Sequence, residues 1–296
     1  MDRMNGQIET KQNPDSTSDT PIDHVHEEEK MDKNLFYDMR GKKYLIIFNQ
    51  HKFEKTVYYM RPPPTRNGTD KDVKRLTEVF EDLGFVTFPH TDLKYQEIMD
   101  CLTAIASLDH TTTSCICVVI LTHGIEGGLL CAADRLYPFS DVKAIFETRS
   151  LADKPKIFIL QACRGNKKDP GYHLKTGGHT ALDRLLVYLA TAANRFWCFL
   201  KIACGGDTKG PDDTNGEQEG LLPESFELYA SVKGYVTYRN PEEGTTVIRE
   251  LCNTMERYTD DMHFADMVTV MKNLVASHRK KQMPVLASCA TKFLKF

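Results

Sequence analysis

Short, wholly apolar runs alternate along this chain with stretches in which apolar residues recur every third or fourth position. The clearest runs are Tyr44-Leu45-Ile46-Ile47-Phe48, Ile116-Cys117-Val118-Val119-Ile120-Leu121 and Ile157-Phe158-Ile159-Leu160. Each has strand length and is apolar at odd and even positions alike, so both faces are expected to be covered. Between them, Val73, Leu76, Val79, Phe80 and Leu83 keep helical spacing and end at Gly84, a residue suited to a helix stop. Phe85 to Phe88 predicts a further strand, and Ile98, Leu102 and Ile105 a second helix. After Gly165 the pattern breaks. Residues 166–222 are rich in Gly, Lys, Asp and Asn, interrupted by an apolar stretch from Leu185 to Leu200. Order resumes with a strand around Leu228-Tyr229-Ala230-Ser231, a helix through Val247, Leu251 and Met255, another from Met267 to Val275, and a last strand near Val285–Ala290. Doubly buried strands alternating with helices imply an α/β fold, with a parallel sheet between helix layers. Neither block is complete alone, so the two are expected to share one sheet. Residues 1–34 lack an apolar period and read as a disordered leader.

Composition narrows the classes. The 296 residues carry a formal charge of −3 and no dense Lys/Arg block, which argues against nucleic acid as a partner. No basic-then-apolar leader marks a secretory signal. Nine cysteines, several inside apolar runs, argue against a disulfide framework and for reduced thiols in the cytoplasm. Cys115 and Cys117 alternate onto one strand face, but no second Cys/His pair at zinc spacing accompanies them, so core packing is favoured and no metal or cofactor is expected. Cys101, Cys131, Cys252 and Cys289 are also read as core, and Met262, Met267 and Met271 as packing.

His123 and Cys163 each stand just past an apolar strand, and in open parallel sheets sites form at the carboxyl ends of strands. Two such strands side by side would bring the side chains together. A thiol is a strong nucleophile as thiolate, and an imidazole can take its proton and return one to a leaving amine. Gly124 lets the backbone approach a substrate, and the N–H groups of Gly124 and Cys163 are candidates for an oxyanion hole.

Gln161-Ala162-Cys163-Arg164-Gly165 matches the signature Q-A-C-[RQG]-G, with a histidine upstream. Thr122-His123-Gly124, the loop Thr65-Arg66-Asn67-Gly68-Thr69-Asp70, the segment Gly234-Tyr235-Val236-Thr237-Tyr238-Arg239-Asn240 and Lys281-Gln282-Met283-Pro284 extend the match. Over residues 35–165 and 223–296 the chain resembles the caspase family, in its short-prodomain, executioner-like and invertebrate-like form. The resemblance implies a caspase-like sandwich with a mostly parallel six-stranded sheet flanked by helices. It implies a cysteine endopeptidase that cuts protein substrates after aspartate, acts in apoptosis, and pairs as a homodimer through its last strand. It also implies a leader (1–34), a large-subunit region (35–165), a linker (166–222) and a small-subunit region (223–296).

By the same resemblance, Arg66, Gln161 and Arg239 line a pocket for the aspartate side chain. Two guanidinium forks and an amide suit a carboxylate. The Pro64 carbonyl would orient His123. Val236 and Tyr238 would shape the next pockets, and Asn240 a polar contact farther on. Thr246 departs from the family, standing where relatives often carry a tryptophan; the only Trp is Trp197, in the linker.

The linker is longer than the family's. Leu185, Leu189, Ala193, Phe196 and Leu200 make one helical face, while Arg184, Asn194 and Arg195 rule against a membrane span. Three readings stay open: a docking helix, a segment excised on activation, or a retained intron that relatives do not share. An upstream protease would cut after Asp213 or Asp207 in the linker and Asp19 in the leader. Asp169 precedes a proline, and Asp183 adjoins the apolar stretch. Until that cut, the linker is expected to hold the Arg239 loop out of place. The rival reading is a silent, caspase-like decoy that binds true caspases.

Overall fold

The computed structural model describes residues 33–169, 220–278 and 282–296. Its strands are β1 (Lys42–Asn49), β2 (Phe85–Thr91), β3 (Thr113–Leu121), β4 (Leu129–Cys131), β5 (Leu136–Pro138), β6 (Lys156–Gln161), β7 (Ser225–Tyr229), β8 (Arg239–Asn240), β9 (Gly244–Thr245) and β10 (Val285–Ser288). Its α-helices are α1 (Thr69–Asp82), α2 (Tyr95–Ala106), α3 (Phe139–Ile145), α4 (Thr246–Tyr258) and α5 (Phe264–Ser277).

Six strands form one sheet in the order β10-β7-β6-β3-β1-β2. All pairings in it are parallel except β10 with β7 at the edge. Both sequence blocks contribute strands to this sheet. All nine residues of β3 are buried. Its side chains alternate between two cores, Cys115, Cys117, Val119 and Leu121 to one and Ile116, Val118 and Ile120 to the other. The first core is closed by α1, α4 and α5, and the second by α2 and α3. Truncating a large side chain in either layer to Ala costs about 2–5 kcal/mol.

Several elements differ from the sequence reading. The strand expected at Leu228–Ser231 begins three residues earlier, at Ser225. Glu227 hid it: this buried carboxylate lies 3.5 Å from the Lys143 ammonium of α3, a compensation that a strand pattern cannot reveal. The strand expected from Phe85 to Phe88 continues through Pro89 to Thr91, which β2 tolerates as an edge strand. The hairpin β4–β5, the short helix α3 and the pair β8–β9 are too short to leave a period. Cys101 and Cys289 are only partly buried. The Cys101 thiol lies 3.3 Å from His90 Nε2, and the Cys289 thiol donates to the Leu222 carbonyl at 2.7 Å. The leader as far as residue 32, the stretch Leu185–Leu200, Trp197 and Asp19, Asp207 and Asp213 lie outside the described residues.

Candidate active site

The sheet register sets the centre of the site. Leu121 of β3 pairs with Gln161 of β6. His123 and Cys163 each follow two residues later, so neighbouring parallel strands release them at the same level. The Thr122 N–H donates to the Gln161 carbonyl at 3.2 Å, which carries the pairing one step beyond the strands. Gly124 then runs against the Cys163 backbone, where a Cβ would lie 2.0 Å from the Cys163 carbonyl oxygen. No residue but glycine fits there.

A cleft of about 260 Å³ opens at this end of the sheet, lined by Arg66, Thr122, His123, Gln161, Cys163, Thr237, Tyr238 and Arg239. His123 Nε2 lies 2.8 Å from the Pro64 carbonyl oxygen. That carbonyl can only accept, so Nε2 carries the proton and Nδ1 of the neutral ring is left to act as a base. Burial lowers the His123 pKa; the Arg66 and Arg239 cations add to this, and the Pro64 carbonyl opposes it. The Cys163 thiol sulfur accepts the Thr237 N–H at 3.3 Å.

Arg66 is 1 % exposed. Its Nη1 donates to the carbonyls of Gln50 and Leu121, both at 2.8 Å, and to Thr69 Oγ1 at 2.9 Å. Its Nε is buried and meets no acceptor, and the buried Gln161 amide has an unpaired Oε1. Burial, reinforced by Arg239, pushes the Arg66 pKa down to about 9. Arg239 is partly buried and donates from Nε to the Asn67 carbonyl at 2.9 Å. Among the described residues, neither guanidinium forms an ion pair with a carboxylate. Two cations facing one cleft, with a buried donor to spare, form a site suited to an anion.

Val236 and Asn240 flank this cleft rather than line it. The Val236 N–H donates to the Lys167 carbonyl at 2.9 Å, and the Asn240 side chain accepts the Glu242 N–H at 2.9 Å. Arg239 lines the cleft, and most of the linker expected to hold its loop out of place lies outside the described residues. The segment before Arg239 is held by a short backbone ladder: the Arg164 N–H donates to Tyr235 O (2.9 Å), the Gly234 N–H to Arg164 O (2.8 Å) and the Lys167 N–H to Gly234 O (3.0 Å). These bonds dock the segment beside the residues that follow Cys163.

Sequence reasoning missed three supports of the cleft. Thr237 touches the thiol. The Gln282 amide, 3 % exposed, accepts the Tyr238 N–H at 3.1 Å and donates to the Ala230 carbonyl at 2.6 Å. Asp72, also buried, accepts the Thr245 N–H at 2.7 Å and so ties α1 to β9, the partner of the strand that carries Arg239. Gly244 is required beside it: its φ is +80°, and a Cβ would lie 2.4 Å from Asp72 Oδ1. Burial raises the Asp72 pKa to about 6. Among the described residues, no cluster of three or more His, Cys, Asp or Glu side chains could hold a metal ion, and no helix is long and apolar enough to cross a membrane.

A parallel sandwich with a thiol and an imidazole at the carboxyl ends of adjacent strands has the architecture of a cysteine-type peptidase. The sequence matches the Caspase domain family over residues 42–294, and the chain belongs to that family. It is 27 % identical to caspase-3 of Mesocricetus auratus, over 97 % of this chain and 98 % of that protein. To caspase-6 of Mus musculus it is 29 % identical, over 88 % and 90 %. Among solved structures, the crystal structure of caspase-1 from Spodoptera frugiperda shares the fold, with a TM-score of 0.68 at 24 % identity, covering 88 % of this chain and 92 % of that one.

Proposed function

We propose that this chain is an endopeptidase that cuts protein substrates after aspartate, with Cys163 as nucleophile and His123 as its acid–base partner. One observation carries the reading: a single cleft gathers a thiol, an imidazole held by a carbonyl, and two guanidinium groups that pair with no carboxylate among the described residues. Substrate aspartate enters between Arg66 and Arg239, with the Gln161 amide beside it. His123 Nδ1 takes the Cys163 proton, and the thiolate attacks the aspartate's own main-chain carbonyl carbon. The oxyanion lies against the N–H groups of Gly124 and Cys163. His123 returns the proton to the leaving amine, the amide bond breaks, and water hydrolyses the thioester.

The family relation supports a role in apoptosis and a cytoplasmic, homodimeric enzyme of large (35–165) and small (223–296) chains. The free edge of β10 offers the pairing surface. An upstream protease removes the leader near Asp19 and opens the 166–222 linker at Asp213 or Asp207. The test is a panel of tetrapeptides that differ only at the last residue before the cut, assayed before and after limited proteolysis. Aspartate peptides are turned over at least roughly 10²-fold faster than asparagine ones, since a carboxylate missing from a buried charge pair costs about 3–5 kcal/mol, and glutamate peptides also fail because the extra methylene displaces the carboxylate from the guanidinium forks. Equal turnover of asparagine or arginine peptides removes the pocket assignment. No turnover in either state returns the chain to the decoy reading.

A further inference from the structure

Asp92 follows the last residue of β2, beside the exit of β1, since Thr91 pairs with Asn49. Its backbone is left-handed, with φ +56°, a conformation that Cβ crowding disfavours. The side chain shows what is held there. Asp92 Oδ1 accepts the N–H groups of His51 at 2.5 Å and of Lys52 at 2.8 Å, and the Asp92 N–H donates to the Asn49 carbonyl at 3.0 Å. Successive main-chain N–H groups that converge in this way make a concavity suited to an anion. Here the chain's own carboxylate fills it.

The same two peptide units hold Arg66 from their other ends. The Gln50–His51 unit gives its N–H to Asp92 and its carbonyl to Arg66 Nη1, which lies 2.8 Å away. The His51–Lys52 unit gives its N–H to Asp92 and its carbonyl to the Arg66 N–H, also at 2.8 Å. A peptide unit is planar, with N–H and C=O pointing opposite ways, so fixing one end aims the other. A hydrogen bond to a carboxylate also polarises the unit and strengthens its carbonyl as an acceptor. Asp92 and Arg66 are thus joined by two peptide bridges.

We propose that Asp92 is a positioning residue of the aspartate pocket, holding Arg66 through these bridges so that its guanidinium meets the substrate carboxylate. The proposal rests on the reading of Arg66 as part of that pocket. Without the Asp92 carboxylate, the His51 and Lys52 N–H groups lose this acceptor and turn to water, which reaches them because His51 is half-buried and Lys52 exposed. The planes rotate, and both carbonyls leave Arg66. Its guanidinium keeps Thr69 Oγ1 and the Leu121 carbonyl, so it stays in the fold but loses its fixed aim. A binding group misplaced by about 1 Å costs up to roughly 10²-fold, and a loosened one less.

The experiment titrates two labelled peptides, identical except for Asp or Asn before the scissile bond, against the Cys163→Ala chain by anisotropy, before and after limited proteolysis. The aspartate peptide binds at least roughly 10²-fold tighter. Adding Asp92→Gly, which takes the left-handed backbone without strain but lacks the carboxylate, lowers that preference about tenfold. Asp92→Ala lowers it equally and also melts at a lower temperature than Asp92→Gly, because it keeps the strain. Asp92→Asn retains an Oδ1 acceptor and tolerates the backbone, and its preference stays within about threefold of the parent's. A merely structural role gives other results: both peptides weaken alike, or the preference follows the melting temperature. Either result, or a preference unchanged in Asp92→Gly, overturns the proposal and leaves the pocket standing. No aspartate preference in the parent Cys163→Ala chain removes the pocket reading, and the proposal falls with it.

Discussion

Arg66 and Arg239 face the same cleft from regions built to different standards. The Arg66 guanidinium is enclosed, and it is fixed by two main-chain carbonyls at the ends of β1 and β3 and by the Thr69 hydroxyl. Arg239 sits on a two-residue strand, partly exposed, with one hydrogen bond to Asn67 O. Its hairpin is held by the Asp72 contact to Thr245 and by the ladder to residues 164–167. The same side chain is core on one side of the cleft and a partly exposed wall on the other. His123 and Cys163 belong with the first region, since both leave fully buried strands. On the proposed function, chemistry is carried on the stiff half and specificity is shared with the half held by fewer contacts.

The stiff half is tested most severely by removing the nucleophile. Cys163→Ala is expected to lower kcat/KM by at least roughly 10⁴-fold while the melting temperature stays within about 2 °C, because a small side chain replaces a small one at a strand end. His123→Ala has a comparable effect, and the double variant is no worse than either, as expected of groups acting as one unit. Turnover surviving in a pure Cys163→Ala preparation removes the assignment.

The next effect separates the two arginines. Arg66→Ala and Arg239→Ala each lower kcat/KM for aspartate peptides by roughly 10²–10³-fold. Only Arg66→Ala also destabilises the fold, by about 2–4 kcal/mol, because it leaves the Gln50 carbonyl and Thr69 Oγ1 without this donor and the Leu121 carbonyl with only the Gln50 N–H. Chemical denaturation of both variants measures this. Equal loss of stability breaks the comparison.

The smallest effect is on pH. His123 must be neutral to accept the thiol proton, so activity rises as pH increases through its pKa. Burial and the two arginines hold that pKa below the ordinary 6.5, so the acid limb of the kcat/KM profile falls below that value. In Arg239→Ala one depressing cation is gone, and the limb moves to higher pH. A limb that stays in place shows that Arg239 is too well solvated to act on the imidazole.

The stiff half was also the legible half. Tyr44–Phe48, Ile116–Leu121 and Ile157–Leu160 are visible because a strand buried on both faces must be apolar throughout, and the helices α1, α2, α4 and α5 because each has one covered stripe. The resemblance to the caspase motifs named His123, Cys163, Arg66, Gln161 and Arg239, and all five line one cleft. What stayed hidden depends on partners distant in sequence. Glu227 is permitted in a central strand by Lys143, and Gln282 supports Tyr238 from the far end of the chain. Thr237 reads as an ordinary polar residue until its N–H is found on the thiol. Local pattern cannot encode such pairs, because each half alone resembles a surface residue.

The pairing of Leu121 with Gln161 also limits which lengths this chain can inherit. Successive residues of a strand face opposite ways. Ala162, between Gln161 and Cys163, packs into the core beneath α2 and α3. One codon gained or lost between β6 and Cys163 would exchange their places, driving the thiol inward and a core methyl out. The loop from His51 to Thr65 carries no such parity, since its ends are fixed by Asn49 and Arg66 whatever its length. Insertions can therefore accumulate in that loop near His123, while the two-residue step from sheet to Cys163 stays the same length.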